Sequence, residues 1–161
     1  MSFLELAKER KTIRGYIDNE VPEQMITDLV QAAIEAPSAH NTQPWHFYVV
    51  RDKAIIKSIH GAGNMQDFVL TAPLIIVVCN KYENDNFSIS AVGAAIQNIL
   101  LCAADLGLGS CWVASFNKDA TKELLKIDES MQPVAILPIG YHNNKDSKPT
   151  RKPIDDTVTY I

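Results

Sequence analysis

Cysteine is scarce, with three in 161 residues. Cys79, Cys102 and Cys111 stand far apart, and no pair has the spacing of a metal knuckle or a redox dithiol. Buried, reduced thiols are expected. The four histidines, His40, His46, His60 and His142, show no ligand spacing either, so no metal site is expected. No long apolar run is present. LIIVVC at 74–79 is far too short to span a bilayer, and no membrane association is expected. The opening MSFLELAKER has no apolar core of signal-peptide length, so the expected location is the cytoplasm. Excess positive charge is missing as well: 15 basic against 19 acidic side chains give a net charge of −4. That argues against nucleic acid as the partner. The common catalytic signatures are absent too. GAG at 61–63 and GLG at 107–109 each open a G-x-G, but Gln66 and Trp112 stand where a dinucleotide fingerprint needs its third glycine. There is no phosphate-binding P-loop and no G-x-S-x-G nucleophile elbow.

What is present reads as one globular domain over residues 1–161. Hydrophobic residues make up 47% and charged residues 21%, ordinary for a folded domain. Ser2 and Glu5 form a capping box for a short helix with Phe3, Leu6 and Ala7 on one face. A second helix is expected over 22–36, with Ile26, Leu29, Val30 and Ala33 inward and Pro37 ending it. HFYVV at 46–50 reads as a strand. Asp52 caps a helix over 53–61, and 61–69 reads as a loop or short helical turn. PLIIVVCN at 73–80 has no polar alternation, which suits a fully buried strand. KYENDNFS at 81–88 reads as a polar loop. The helix over 89–107 is apolar almost all round, as in a helix buried on all sides or set in a subunit interface. GSCWVASF at 109–116 reads as a strand. Asn117 caps a helix over 118–127 with Leu124 and Leu125 inward. PVAILPIGY at 133–141 is a last strand, in which Pro138 calls for an edge or a bulge. The final 20 residues carry no helical stripe, yet end in the β-prone TVTYI; such a tail frays or docks on another surface. Helices between strands suit crossovers, so the expected class is α+β with a mixed sheet of four or five strands flanked by helices.

Two basic clusters stand out on this acidic chain: RKTIR at 10–14 and KPTRKP at 148–153. Forked guanidinium donors suit a phosphate, although charge runs are also ordinary solvated surface. A third feature is APSAHNTQPW at 36–45. Small and amide side chains, two prolines and a tryptophan make an odd connector between a helix and a strand.

Five segments, in order along the chain, carry a resemblance. RKTIRGY resembles the R-[RK]-[ST]-x-R-x-[FY] opening of the nitroreductase family of flavoproteins. APSAHNTQPWHFYVV is similar to that family's A-P-S-x-x-N-x-Q-P-W-x-F-x-V-V signature. GNMQDFVLTAPLIIVVC, AVGAAIQNILLCAADLGLGSCWVASF and PIGYHNNKDSKPTRKP resemble its later segments. Each motif is weak alone; five in register cover nearly the whole chain.

The resemblance implies a nitroreductase-like fold and an intertwined homodimer, with the C-terminal tail on the partner and two FMN sites shared between subunits. It implies that Arg10, Thr12 and Arg151 hold the FMN phosphate and ribityl chain, with Lys11 in support. Arg14 would lie near the N1–C2=O edge of the flavin. Gln66 would hydrogen-bond the ring or ribityl edge, with Asn64 a weaker candidate. Backbone N–H groups around Val113, Ala114 and Ser115 would face N5 and O4. Pro37, Ser38, Ala39 and Asn41 would come from the partner, with Gln43 close by. NADH or NADPH would give a hydride to flavin N5. A small oxidant such as a nitroaromatic or quinone would then accept electrons by ping-pong kinetics, with no catalytic side chain required. The alternatives are a flavin-binding protein without nicotinamide turnover, or another flavin chemistry such as dehalogenation. Larger members carry an acidic residue where Ala114 stands, and relatives often have Lys at the position of Pro149, for which Lys148 would substitute.

Overall fold

The structure is a computed structural model that describes residues 1–81, 86–143 and 149–161. Its centre is a four-stranded sheet in the order β1-β2-β4-β3. The strands are β1 (Trp45–Val50), β2 (Leu74–Asn80), β3 (Gly109–Ser110) and β4 (Gln132–Gly140). Every residue of β2 is buried, because helices cover both of its faces. One layer is α2 (Glu23–Ile34) and α4 (Asn86–Asp105), packed on Leu74, Ile76, Val78, Leu137 and Ile139. The opposite layer holds α3 (Lys53–Gly61) and the short 3-10 helix Asp67–Thr71, packed on Ile75, Val77, Cys79 and Ile136; α5 (Lys118–Leu124) also contacts β4 and α3. Side chains that alternate across β2 and β4 therefore feed two separate cores.

The α+β class holds, and the mixed character of the sheet is slight. All pairings between the named strands are antiparallel; among the described residues the parallel element is a single bridge between Thr12 and Ser110. Pro138 sits at neither an edge nor a bulge. It lies in the interior strand β4 with its carbonyl turned toward β3, where it accepts from the N–H of Cys111 at 3.3 Å. The missing proline N–H removes the reciprocal bond. Accordingly β3 stops after two residues instead of running to Phe116, and pairing resumes in a bridge between Val113 and Ile136. The register shifts where the consecutive β2 residues Val78 and Cys79 pair with Ala135 and Pro133, which leaves Val134 of β4 as the extra residue.

Caps form as the sequence predicts. Ser2 and Glu5 make the reciprocal capping box of α1 (Phe3–Glu9), Asp52 accepts from the N–H groups of Ala54 and Ile55, and Asn117 accepts from Ala120. Two further expectations fail. The polar loop over 81–88 gives way to helix at Asn86, with Asn80 Nδ2 donating to Ser88 Oγ at 3.0 Å to tie the helix to β2; residues 82–85 lie outside the described residues. Leu124, expected inward, is exposed. α1 buries none of its residues. Asn86–Asp105 is long and apolar enough to cross a membrane, but much of it lies inside the core described above.

Candidate functional site

The segment 10–14 runs in extended form beside β3. Thr12 bridges Ser110, and the N–H of Ile13 donates to the Ser110 carbonyl at 2.9 Å. Extended chain alternates its side chains. Ile13 points inward and is 1% exposed; Thr12 and Arg14 are exposed and Arg10 is half-buried. The fit is close: a Cβ on Gly109 would come 2.8 Å from Ile13 Cγ1 and 2.7 Å from His142 Cδ2. Tyr16 fixes the far end. Its hydroxyl lies 2.9 Å from both the Ile13 and Pro138 carbonyls, and burial pushes the phenol pKa well up.

A cavity opens at each end of this pairing. One, of about 260 Å³, is lined by Arg10, Lys11, Gly107, Ser110 and His142, among others. The other, of about 280 Å³, is lined by Arg14, Asn64, Gln66, Phe68, Cys111, Trp112 and Val113–Ser115. Four residues of extended chain separate Arg10 from Arg14 by ~13 Å. The arrangement suits an elongated ligand with an anionic end and a planar end.

At the Arg10 end the electrostatics are unbalanced. The Arg10 pKa is held below its ordinary value by burial first and then by the guanidinium of Arg151. Among the described residues, no carboxylate forms an ion pair with Arg10, Arg14 or Arg151. Ser110 is 3% exposed, yet its hydroxyl makes no hydrogen bond to a described residue. Two unneutralised guanidinium groups and a hydroxyl lining the same cavity form the donor set that a phosphate monoester needs. Lys148 lies outside the described residues.

At the Arg14 end one expected donor is already committed. Val113 exchanges both backbone bonds with Ile136, each 2.9 Å. Of the three backbone donors expected there, Ala114 and Ser115 remain without an internal partner among the described residues. Sequence reasoning gave no site role to Phe68, Cys111 or Trp112. Trp112 is 44% exposed beside Gly93 of α4, whereas Trp45 is core. Exposure of a tryptophan next to a glycine-containing helix leaves no mark in a single sequence. Cys111 is buried, which pushes its thiol up, and Cys79 is pushed up to about 12 by burial.

Pro37, Ser38 and Ala39 are not brought to either cavity within one chain. They line a third, apolar recess of about 270 Å³ with Phe87, Ser90, Ala91 and Ala94. Asn41 and Gln43 line none of the three. Their loop is unusual in another way: His40, Asn41 and Gln43 all have positive φ, at 52°, 56° and 46°. Each such residue costs of order 1–3 kcal/mol. Ser38 Oγ steadies the loop by accepting from the Gln43 N–H at 3.0 Å. A larger recess beside α5, of about 460 Å³, brings together none of the predicted residues; its charges of both signs partner one another, as in Lys122 Nζ to Glu129 Oε2 at 3.3 Å.

Comparison with known proteins agrees with this geometry. Residues 7–62 and 60–141 match the sequence profile of the nitroreductase family. The chain is 36% identical over 154 residues to an Archaeoglobus fulgidus protein whose name joins NADH dehydrogenase and NAD(P)H nitroreductase, covering 90% of this chain and 87% of that one. Among solved structures, a Bacteroides thetaiotaomicron protein of the same name is similar with a TM-score of 0.89 and 29% identity, over 98% of this chain and 95% of that one. An FMN-dependent nitroreductase of Clostridium difficile R20291 is similar with a TM-score of 0.87 and 28% identity, over 98% of each chain.

Proposed function

This chain belongs to the nitroreductase family, and from that premise we propose an FMN-dependent oxidoreductase that takes electrons from NADH or NADPH and passes them to a small oxidant, a nitroaromatic or quinone among them. The observation that carries the reading is the pair of cavities at the two ends of the 10–14 segment. One is lined by Arg10 and Lys11 together with Glu9, and no described carboxylate ion-pairs with Arg10; the other is lined by amide, guanidinium and free backbone donors.

When bound, FMN supplies hydride transfer at N5. The chain supplies binding, orientation and electrostatics. In this reading Arg10, Arg151 and the Thr12 and Ser110 hydroxyls hold the phosphate and ribityl chain, with Lys11 adding charge. Arg14 faces the edge on which reduction places negative charge, so its cation favours the reduced form. Asn64 and Gln66 give amide hydrogen bonds along the same ring, and Ala114 and Ser115 present N–H groups to it.

A second copy of the chain completes this site. Pro37, Ser38 and Ala39 line neither of these two cavities but a separate apolar recess, which suits a loop lent to a partner. Phe3, Leu4, Phe87, Ile154, Val158, Tyr160 and Ile161 are exposed apolar groups that a partner would cover. The free thiols suit a cytoplasmic location.

The test is anaerobic mixing of the FMN-loaded protein with NADH and with NADPH. Bleaching of the flavin band and its recovery on adding a quinone are expected. A band that neither nucleotide bleaches overturns nicotinamide turnover and leaves a flavin-binding protein; failure to bind FMN overturns the whole reading.

A further inference from the structure

We infer that His60 and Asp67 form a brace across the base of the 61–66 loop and that this brace positions Asn64 and Gln66 against the bound flavin. The inference rests on the flavin reading above and adds two residues to it that touch neither cofactor nor substrate.

The loop GAGNMQ connects the end of α3 to the 3-10 helix that starts at Asp67. Two of its residues are left-handed, Gly63 at φ 103° and Asn64 at φ 69°. Glycine adopts such a conformation freely, but asparagine does so at a cost. Something must hold Asn64 there. Backbone ties act on the first half of the loop: the Gly63 N–H donates to the His60 carbonyl at 3.0 Å, and Asn117 Nδ2 donates to the Ala62 carbonyl at 3.2 Å. On the second half, Gln66 is fixed from its C-terminal side, where its carbonyl accepts from Val69 at 3.2 Å. What joins the two halves is a side-chain pair. His60 Nε2 lies 3.1 Å from Asp67 Oδ1.

The pair has an unusual split. The His60 side chain is 19% exposed and its Nε2 is buried, while the Asp67 side chain is 95% exposed. Although within reach, the two atoms are not aligned as a hydrogen bond, and Nε2 has no other partner among the described residues. A buried, unsatisfied nitrogen carries a desolvation cost that a small movement of the loop relieves. The brace thus has a direction: closing it draws Asp67, and Gln66 with it, toward α3. Asn64 and Gln66 both line the cavity that holds Arg14, Ala114 and Ser115. Amides aimed at the ring edge favour the reduced flavin, and displacement of such donors by ~1 Å is enough to lose that preference.

His60 and Asp67 are therefore positioning residues. The test uses full-length protein carrying FMN, with Asp67→Ala, His60→Phe, the double variant and Asp67→Glu. Affinity for oxidised FMN and the midpoint potential are read together. Each single variant is expected to lose about tenfold in its preference for reduced over oxidised FMN, as coupled neighbours do. A tenfold change moves a two-electron potential ~30 mV, here to more negative values. The double variant should match the singles, and Asp67→Glu should restore much of the potential. Because Asp67 is exposed, Asp67→Ala should melt like the wild type, which separates positioning from folding even if His60→Phe fails to fold. An Asp67→Ala protein with wild-type affinity and potential overturns the brace and leaves the flavin reading intact. A wild-type chain that takes up no FMN overturns both.

Discussion

Arg10 and Arg151 are 141 positions apart in sequence, yet the guanidinium of Arg151 lies close enough to lower the proton affinity of Arg10, adding to the larger effect of burial. Two like charges share one corner of the molecule, and no described carboxylate ion-pairs with either. Such a pair destabilises the empty fold and favours an anion that bridges it.

The first prediction follows from that conflict. Arg10→Leu should raise the melting temperature of flavin-free protein, because it removes a half-buried cation and a repulsion. The same change should weaken FMN binding by at least tenfold, with loss of charge-assisted bonds of ~1.5–3 kcal/mol each. FMN at 100 times its Kd should stabilise the wild type by ~2.7 kcal/mol and the variant by far less. Calorimetry with and without FMN checks both signs. A variant less stable than the wild type in the absence of flavin would show that Arg10 is held by partners within the fold.

Gly140 closes the core at the end of β4. A Cβ there would come 2.7 Å from Pro73 Cγ and nearer still to Cδ, with Tyr16 Cδ1 at 3.4 Å. A proline ring is tied to its backbone and cannot rotate away. Gly140→Ala should therefore cost ~1–3 kcal/mol, the usual penalty of overpacking. The measurement is the urea midpoint at constant slope.

These two sites differ in how far the sequence revealed them. Arg10 stood out as part of a basic cluster, but such clusters are also ordinary solvated surface, and its assignment to a phosphate rested on the family resemblance. The role of Gly140 was not legible, because it depends on where Pro73 lies across the sheet. The same division runs through the fold. α3 and its Asp52 cap match the expected 53–61 span, since cap and stripe are local signals. β3 was overestimated because Pro138, 28 residues later, removes its partner's N–H. Val113 was expected to offer its N–H to a ligand, but its bond to Ile136 is a pairing across the chain that no local pattern reports. The helix 86–105 was placed three residues late, because Asn86, Phe87 and Ser88 look like loop until Asn80 is seen to bond Ser88.

Alkaline pH should weaken the fold. Burial raises Tyr16 far above 10.0, Cys79 from 9.0 to about 12, and Cys111 also above 9.0. All three stay protonated in the native chain while the unfolded chain ionises. The native state then binds more protons, so stability is at its full value below pH 9 and falls as pH rises toward 12. Urea midpoints between pH 8 and 11 should decline steadily, and Tyr16→Phe should flatten the upper part of that decline. In the native protein Cys79 and Cys111 should resist a thiol reagent at pH 8, while half-buried Cys102 reacts first.

The exposed tail bears on assembly. Ile154, Val158, Tyr160 and Ile161 are exposed on a single chain, an arrangement that a second copy would cover. Removal of residues 142–161 should shift sedimentation from dimer toward monomer. A truncated protein that remains as firmly dimeric as the full chain would rule the tail out as an interface.

The loop 37–43 offers a test of its backbone in solution. His40 has φ 52°, a conformation that glycine adopts without strain and alanine does not. In an ordinary helix, alanine is the better residue by ~1 kcal/mol. At position 40 the order should reverse: His40→Gly should be more stable than His40→Ala by ~1 kcal/mol. The comparison removes the side chain in both variants, so lost contacts cancel and only the backbone term remains. Loading both variants with FMN then separates strain from function. His40 stands between Ala39 and Asn41 but makes no hydrogen bond of its own to a described residue. If its purpose is to turn the chain so that Ser38 and Asn41 face a neighbouring flavin, His40→Gly should bind FMN like the wild type. In His40→Ala, relaxation of φ would tilt that face, and FMN affinity should fall in step with stability. Equal stability of the two variants would mean that residue 40 is not left-handed in solution, and the explanation of the loop as stored strain would go with it.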